Sequence, residues 1–189
     1  MTIDYTDADV RKGKLNVNAG GEDFTVNVSI PVNLFIRSGD NGTVQLGASN
    51  DIVQDYGTTG EVIIRMDGGN DQAFIGKGAT GHVILVGGTG NDTLINTSSA
   101  HVDFVYNFNT NNMSNDGADG IKGFVLGTDH VVLNGITLQE FQTNFTVTDA
   151  PNSVGVVLTD GTNDGWSVQL IGVHETKADL LAAHAFVFA

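Results

Sequence analysis

The sequence has no cysteine, two prolines and only eight basic residues among its 189. Without cysteine the chain forms no disulfides, and a bound metal is the usual alternative restraint in a secreted protein of this size. Twenty-two acidic residues leave a formal net charge of −14. Because this charge repels nucleic acid and anionic membrane surfaces and attracts cations, we expect a cation as a partner and no nucleic acid.

Long apolar segments and catalytic motifs are also missing. Residues 1–20 contain no apolar stretch long enough for a signal peptide, and no run is apolar enough to span a bilayer. There is no Gly-x-Ser-x-Gly turn, no His-Glu-x-x-His sequence and no phosphate-binding glycine loop. The sequence therefore predicts a protein without a transmembrane segment and without catalysis of its own.

Glycine is abundant, and the first half of the chain contains a repeat of about twenty residues. Each period has a short apolar strand, a turn ending in Asn-Asp, a second short strand and a turn rich in Gly or Ser. The aspartates that end the turns, Asp51, Asp71 and Asp92, are 20 and then 21 positions apart. Two strands per coil, each paired with the next coil, predict a flattened parallel β-solenoid in an all-β protein.

The Asn-Asp turns have the composition of a calcium site. The turn from Gly87 to Asp92 fits the Gly-Gly-x-Gly-x-Asp repeat that binds calcium in parallel β-rolls. Calcium prefers six to eight oxygens from carboxylates and carbonyls, and glycines let the backbone turn its carbonyls inward. The predicted ligands and ligand-bearing positions are Gly47, Ser49, Asp51, Asp67, Gly69, Asp71, Gly88, Gly90 and Asp92. The opposite turns carry no Asp, so we expect two or more calcium ions along one edge, although such turns also form without an ion.

These turns resemble the haemolysin-type calcium-binding repeats of the RTX (repeats-in-toxin) family, and the resemblance extends over residues 40–189. After the repeats, the residues that fit the family's closing segment are Asp119, Ile121, Phe124, Gly127, Asp129, Val131 and Leu133. The resemblance implies a right-handed parallel β-roll over residues 37–112 and an antiparallel β cap over 113–189. We expect residues 1–36 to form an N-terminal strand cap. Asp119 and Asp129 are implied as further calcium ligands.

The apolar end of the chain, residues 185–189, resembles the uncleaved signal of type I secretion substrates. The resemblance implies export by the type I machinery of a Gram-negative bacterium and folding on calcium outside the cell or at its surface. We expect a structural or adhesive role, with self-association or a cell-surface polysaccharide as partners. The alternative is an accessory or polysaccharide-binding module of a larger secreted hydrolase, lyase or epimerase. The scarcity of basic residues argues against an acidic polysaccharide.

Two further groups are weaker metal candidates. Asp160 and Asp164 lie at a predicted hairpin loop and have a spacing that suits a metal, although acidic loops are usually only solvated. Glu61, His82 and His101 each begin the same strand in successive coils, so they are predicted to stack about 4.8 Å apart. Such a column could bind zinc or transfer protons, and a solvated polar ladder is the alternative. The histidines predicted to be isolated surface or edge residues are His130, His174 and His184.

Overall fold

The computed structural model describes residues 2–108, 117–150, 155–161 and 165–189, and nearly all of them lie in strands and turns. The stacked strands are β1 Thr2–Thr6, β2 Lys14–Asn18, β3 Asp23–Asn27, β4 Asn33–Ser38, β5 Gly42–Gln45, β6 Ile52–Asp55, β7 Glu61–Arg65, β8 Gln72–Ile75, β9 His82–Val86, β10 Thr93–Asn96, β11 His101–Asn107, β12 Ala118–Lys122 and β13 His130–Asn134. The C-terminal elements are α1 Leu138–Asn144, β14 Phe145–Ala150, β15 Gly155–Asp160, β16 Ser167–Ile171, α2 Lys177–Ala182 and β17 Phe186–Phe188. A 3₁₀ helix, Asp7–Asp9, follows β1.

The strands form two sheets, one from each side of the flattened coil. One has the order β1-β3-β5-β7-β9-β11-β13-β17, and the other has the order β14-β15-β16-β12-β10-β8-β6-β4-β2. Every pairing from β1 to β13 is parallel, and only β14–β15 and β15–β16 are antiparallel among the described strands. The predicted parallel β-solenoid with a small antiparallel region near the C-terminus is confirmed.

Alternation along each strand sends every second side chain into the core. In β9, Val83 and Leu85 are fully buried, whereas His82 and Ile84 lie on the outer face. A fully buried Val or Leu side chain stabilises a fold by about 1.5–3 kcal/mol, and parallel pairing repeats this inward column in each coil. The two sheets therefore enclose a continuous apolar core between them.

The N-terminal strands are themselves coils of the solenoid. β1 pairs in parallel with β3 and β3 with β5, while β2 pairs in parallel with β4 and β4 with β6. No change of pairing therefore occurs between residues 36 and 37, where the sequence predicts the end of a cap. The other predicted boundary, between 112 and 113, lies outside the described residues.

An aromatic cluster lies at the C-terminal end of the core. Phe141 of α1 is fully buried and contacts the rings of Phe145, Phe186 and Phe188. β17 pairs in parallel with β13, so the chain end adds a strand to the solenoid. In the part of the chain that the structure describes, no helix is long and apolar enough to cross a membrane.

Candidate metal sites

The aspartates of the Asn-Asp turns form a buried row along one edge of the solenoid. The backbone N–H of Asp51 donates to Oδ1 of Asp71 over 2.7 Å, and the N–H of Asp71 donates to Oδ1 of Asp92 over 2.8 Å. Asp119 continues the row, because its Oδ1 accepts from the N–H of Asp92 at 2.8 Å. At the other end, Oδ1 of Asp51 accepts from the N–H of Val32 at 2.7 Å. We call Asp51, Asp71, Asp92 and Asp119 the aspartate row.

The preceding asparagines make a second ladder on the outside of the same turns. Oδ1 of Asn50 accepts from the N–H of Asn70, and Oδ1 of Asn70 accepts from the N–H of Asn91. In each Asn-Asp pair the exposed Asn therefore accepts from the following coil and the buried Asp accepts from the preceding coil. This explains why the pair recurs once per coil whether or not an ion is bound.

Two members of the row have a second carboxylate oxygen with no hydrogen bond to the described part of the chain. Among the described residues, Oδ2 of Asp51 and Oδ2 of Asp71 are buried and have no partner. Both residues are about 1 % exposed. Burial raises the pKa of Asp71 to about 7, with the nearby charges of Asp92, Asp51 and Asp67 adding to the effect and the N–H of Asp51 opposing it. Burial likewise raises the pKa of Asp51. A buried carboxylate in this state requires a proton or a cation.

At this edge, glycines let a backbone carbonyl of one coil lie close to the Cα of the next coil. A Cβ on Gly90 would lie 1.7 Å from the carbonyl oxygen of Gly69, and one on Gly117 would lie 1.9 Å from that of Gly90. Both glycines have positive φ, 126° and 78°. A Cβ on Gly69 would likewise lie 2.4 Å from the carbonyl oxygen of Ser49. Carbonyl and carboxylate oxygens therefore line the same turns, and these are the donors that calcium prefers.

The predicted degeneracy of the middle turn is visible in the structure. The pairing of Gly68 with Thr89 aligns Asp67 with Gly88 and Met66 with Gly87. Asp67 adopts φ 64°, the left-handed conformation that its glycine counterparts adopt easily. Its side chain is exposed. Gly47 occupies the position equivalent to Asp67 in the preceding coil. A Cβ on Gly47 would lie 2.7 Å from the carbonyl oxygen of Ser29.

Other predicted ligands lie elsewhere. Asp129 is on the opposite edge, where its Oδ1 accepts from the N–H of Val102 and its Oδ2 accepts from the N–H of Val125 and from Asn96. Its carboxylate is therefore occupied by the turn itself. Asp160 is the last residue of β15. β16 lies between β15 and β12, the strand that carries Asp119 of the aspartate row. Asp164 lies outside the described residues.

Asp55 also serves the opposite edge. It is the last residue of β6, and its carboxylate accepts from the N–H of Gly57 and from the N–H and hydroxyl of Thr58. Burial raises its pKa, although these hydrogen bonds oppose the shift. The turn that follows β6 contains no Asp, as predicted, but the last residue of β6 provides it with a carboxylate.

A second cluster lies on the outer face of the odd-numbered sheet, and we call His82, His101, Asp103 and His130 the His–Asp cluster. Nε2 of His82 is 2.9 Å from Oδ2 of Asp103, and Nε2 of His101 is 2.9 Å from Oδ1 of Asp103. Nδ1 of His130 is 3.0 Å from that Oδ1 and 3.0 Å from Nε2 of His101. Glu61 flanks the cluster, with Oε2 3.4 Å from Nδ1 of His82.

Strand pairing assembles the His–Asp cluster. Parallel pairing places Glu61 opposite His82 and His82 opposite His101, as the sequence predicts. The prediction missed Asp103 and treated His130 as isolated, but β11 and β13 place these two residues opposite each other. The alternation of β11 could have revealed Asp103, because this residue lies two positions after His101 and therefore faces the same side of the sheet.

The cluster holds its carboxylate ionised. Burial disfavours the charged form of Asp103, but hydrogen bonds from His82 and His130 and the charge of His101 outweigh it and hold the pKa below its usual range. Ligand atoms of His82, His101 and Asp103 also lie within 4.8 Å of one another, whereas in the described part of the chain no three carboxylates of the aspartate row come this close. A cation at the aspartate row would therefore depend mainly on carbonyl oxygens.

Comparison of the chain with protein-family models, with curated proteins and with solved structures finds no match in any of the three. The solenoid is compatible with a β-roll, and the resemblance to RTX repeats rests on the turn residues themselves.

Proposed function

We propose that this protein is a secreted calcium-binding β-roll that folds on calcium outside the cell and has a structural or adhesive role at the surface of a Gram-negative bacterium. In this proposal the type I secretion machinery exports the chain in its calcium-free, loosely folded form. The net charge of −14 supports it, because clustered carboxylates repel one another until cations neutralise them.

The observation that carries the proposal is the buried pair Asp51 and Asp71, each with an Oδ2 that has no hydrogen-bond partner among the residues that the structure describes. An ionised carboxylate in this environment is unstable without a counter-ion, so the row favours either protonation or cation binding. In this proposal the carbonyl oxygens of Ser49, Gly69 and Gly90, which belong to the same turns, supply the remaining donors that calcium needs. Calcium bound only by the folded state adds its binding free energy to the stability of the fold.

The test compares far-ultraviolet circular dichroism and thermal unfolding at pH 8 in chelator and in millimolar calcium. We expect calcium to raise the melting temperature sharply and magnesium to have a much smaller effect. Asp71→Asn is expected to lose most of the calcium response. Asp55→Asn is the matched control, because its carboxylate is also buried but lies on the opposite edge with its oxygens occupied. Identical melting curves with chelator and with calcium would refute the proposal.

A further inference from the structure

The contacts within the His–Asp cluster exceed the hydrogen atoms available to make them. Nε2 of His101, Nδ1 of His130 and Oδ1 of Asp103 form a triangle with sides of 2.9, 3.0 and 3.0 Å. Each ring nitrogen carries at most one hydrogen and an ionised carboxylate carries none. At most two sides can therefore be hydrogen bonds, and the third must place two lone pairs or two N–H groups next to each other.

A metal ion removes this conflict, because all three atoms can then direct lone pairs at one point. Zinc bonds to imidazole nitrogen at about 2.0–2.1 Å and to carboxylate oxygen at about 2.0–2.2 Å, so tetrahedral ligand atoms lie about 3.3–3.4 Å apart. The triangle needs to open by only a few tenths of an ångström to reach that spacing. We infer that His101, Asp103 and His130 form a binding site for a zinc-type divalent cation on the outer face of the odd-numbered sheet.

Ligand chemistry separates this site from the aspartate row. Two of its three ligands are imidazole nitrogens, which suit zinc, whereas calcium takes oxygen ligands almost exclusively. The acidic surroundings, including Glu61, favour a cation on this face. The inference therefore does not depend on the proposed calcium function, and either can fail alone.

His82 is a positioning residue in this arrangement. Its Nε2 donates to Oδ2 of Asp103, the oxygen that is not in the triangle, and its ring stacks on His101 with centroids 4.6 Å apart. Its Nδ1 is also held near Glu61, at 3.4 Å from Oε2. Partners of this kind fix the orientation of a ligating carboxylate and typically account for about 10- to 100-fold in metal affinity.

The site has room for an exchangeable fourth ligand. The side chains of His101, His130 and Asp103 retain 38, 25 and 19 % of their exposure, so solvent reaches the cluster. Asp103 also borders a surface depression lined by Ile84, Val105 and Val132. Three protein ligands with a water in the fourth position is the arrangement typical of reactive zinc sites, in contrast to closed four-ligand structural sites.

The test is titration of the calcium-replete full chain with Zn²⁺ in a calorimeter and with Co²⁺ in an absorption spectrometer. We expect one zinc ion per chain in this site, a tetrahedral-type cobalt spectrum, and no competition from millimolar calcium. His101→Ala, Asp103→Asn and His130→Ala should each weaken zinc binding by more than about 100-fold, the upper end of what an outer partner contributes. His82→Gln should weaken it by about 10- to 100-fold.

His174→Ala is the matched control, because His174 forms an isolated pair with Asp149 at 2.8 Å and should not change zinc affinity. Azide should shift the cobalt spectrum by replacing the water. The calcium-dependent melting temperature of each variant checks that the fold is intact and that the calcium response is unaffected.

An affinity unchanged by both Asp103→Asn and His101→Ala would overturn the site. A loss on His82→Gln larger than that on His130→Ala would overturn the assignment of ligands, and an azide-insensitive spectrum would overturn the open fourth position.

Discussion

Replacing Asp71 by asparagine is expected to stabilise the calcium-free protein at neutral pH and to remove its response to calcium. The asparagine keeps an Oδ1 that accepts the N–H of Asp51, and its Nδ2 takes the place of the protonated second oxygen. It therefore resembles the neutral form of Asp71 and cannot ionise. The difference between the two proteins isolates the free-energy cost of the buried charge.

The sign and size follow from the pKa of Asp71, which is about 7 in the folded protein against 3.8 for a free side chain. Between these values the folded state holds a proton that the unfolded chain has lost. The stabilising contribution of that proton is complete below about pH 4 and disappears as the pH rises through 7. In chelator, the free energy of unfolding of the unsubstituted protein should therefore fall by up to about 4 kcal/mol relative to Asp71→Asn over this range.

The assay is urea unfolding from pH 4.5 to 8.5, followed by the fluorescence of the buried Trp166 and by circular dichroism. In the proposed function calcium binds the ionised carboxylate, so its stabilising effect on the unsubstituted protein should increase with pH and should be greatest above pH 7. Parallel stability curves for the two proteins in chelator would refute the argument from burial. A full calcium response in Asp71→Asn would show that calcium, if bound, does not use this row.

Two further substitutions test the packing that holds the site. Gly90→Ala should lower the free energy of unfolding by several kcal/mol in urea, because its Cβ would overlap the carbonyl oxygen of Gly69, which lies 1.7 Å away. Gly127→Ala is the control, since its φ is also positive but its Cβ would meet open space, and it should cost only about 1–3 kcal/mol. An equal loss in both would show that the close approach between coils is unimportant. Lys177→Met should lower the melting temperature by a few degrees, because its Nζ donates to the carbonyl oxygen of Phe141 at 2.9 Å and lies over the ring. No change in melting would mean that this contact contributes nothing to the C-terminal packing.

Particular residues show how far the sequence determined this structure. The spacing of Asp51, Asp71 and Asp92 predicted the stacked turns, because a parallel solenoid repeats the same position once per coil. Alternation predicted strands in residues 24–30, but not that they are coils of the solenoid. Those coils lack an Asn-Asp turn, so no repeat marked them. Only their parallel pairing with β5 and β6 reveals it.

The repeat predicted that Glu61, His82 and His101 stack, but only the tertiary structure brought His130 and Asp103 together. His130 lies opposite Asp103, 27 positions away, whereas the aspartates of the repeat are separated by 20 and 21. A fixed period could not align them, because turn segments change length freely while strand pairing sets the register. Likewise the repeat predicted Asp71 as a ligand and the family resemblance implied Asp129 as a further one, yet the fold places them on opposite edges. The oxygens of Asp129 are bonded, and Asp71 retains a buried one without a partner among the described residues. Local residue types fix the repeat, but only the closed coils determine which carboxylates are buried and which donors reach them.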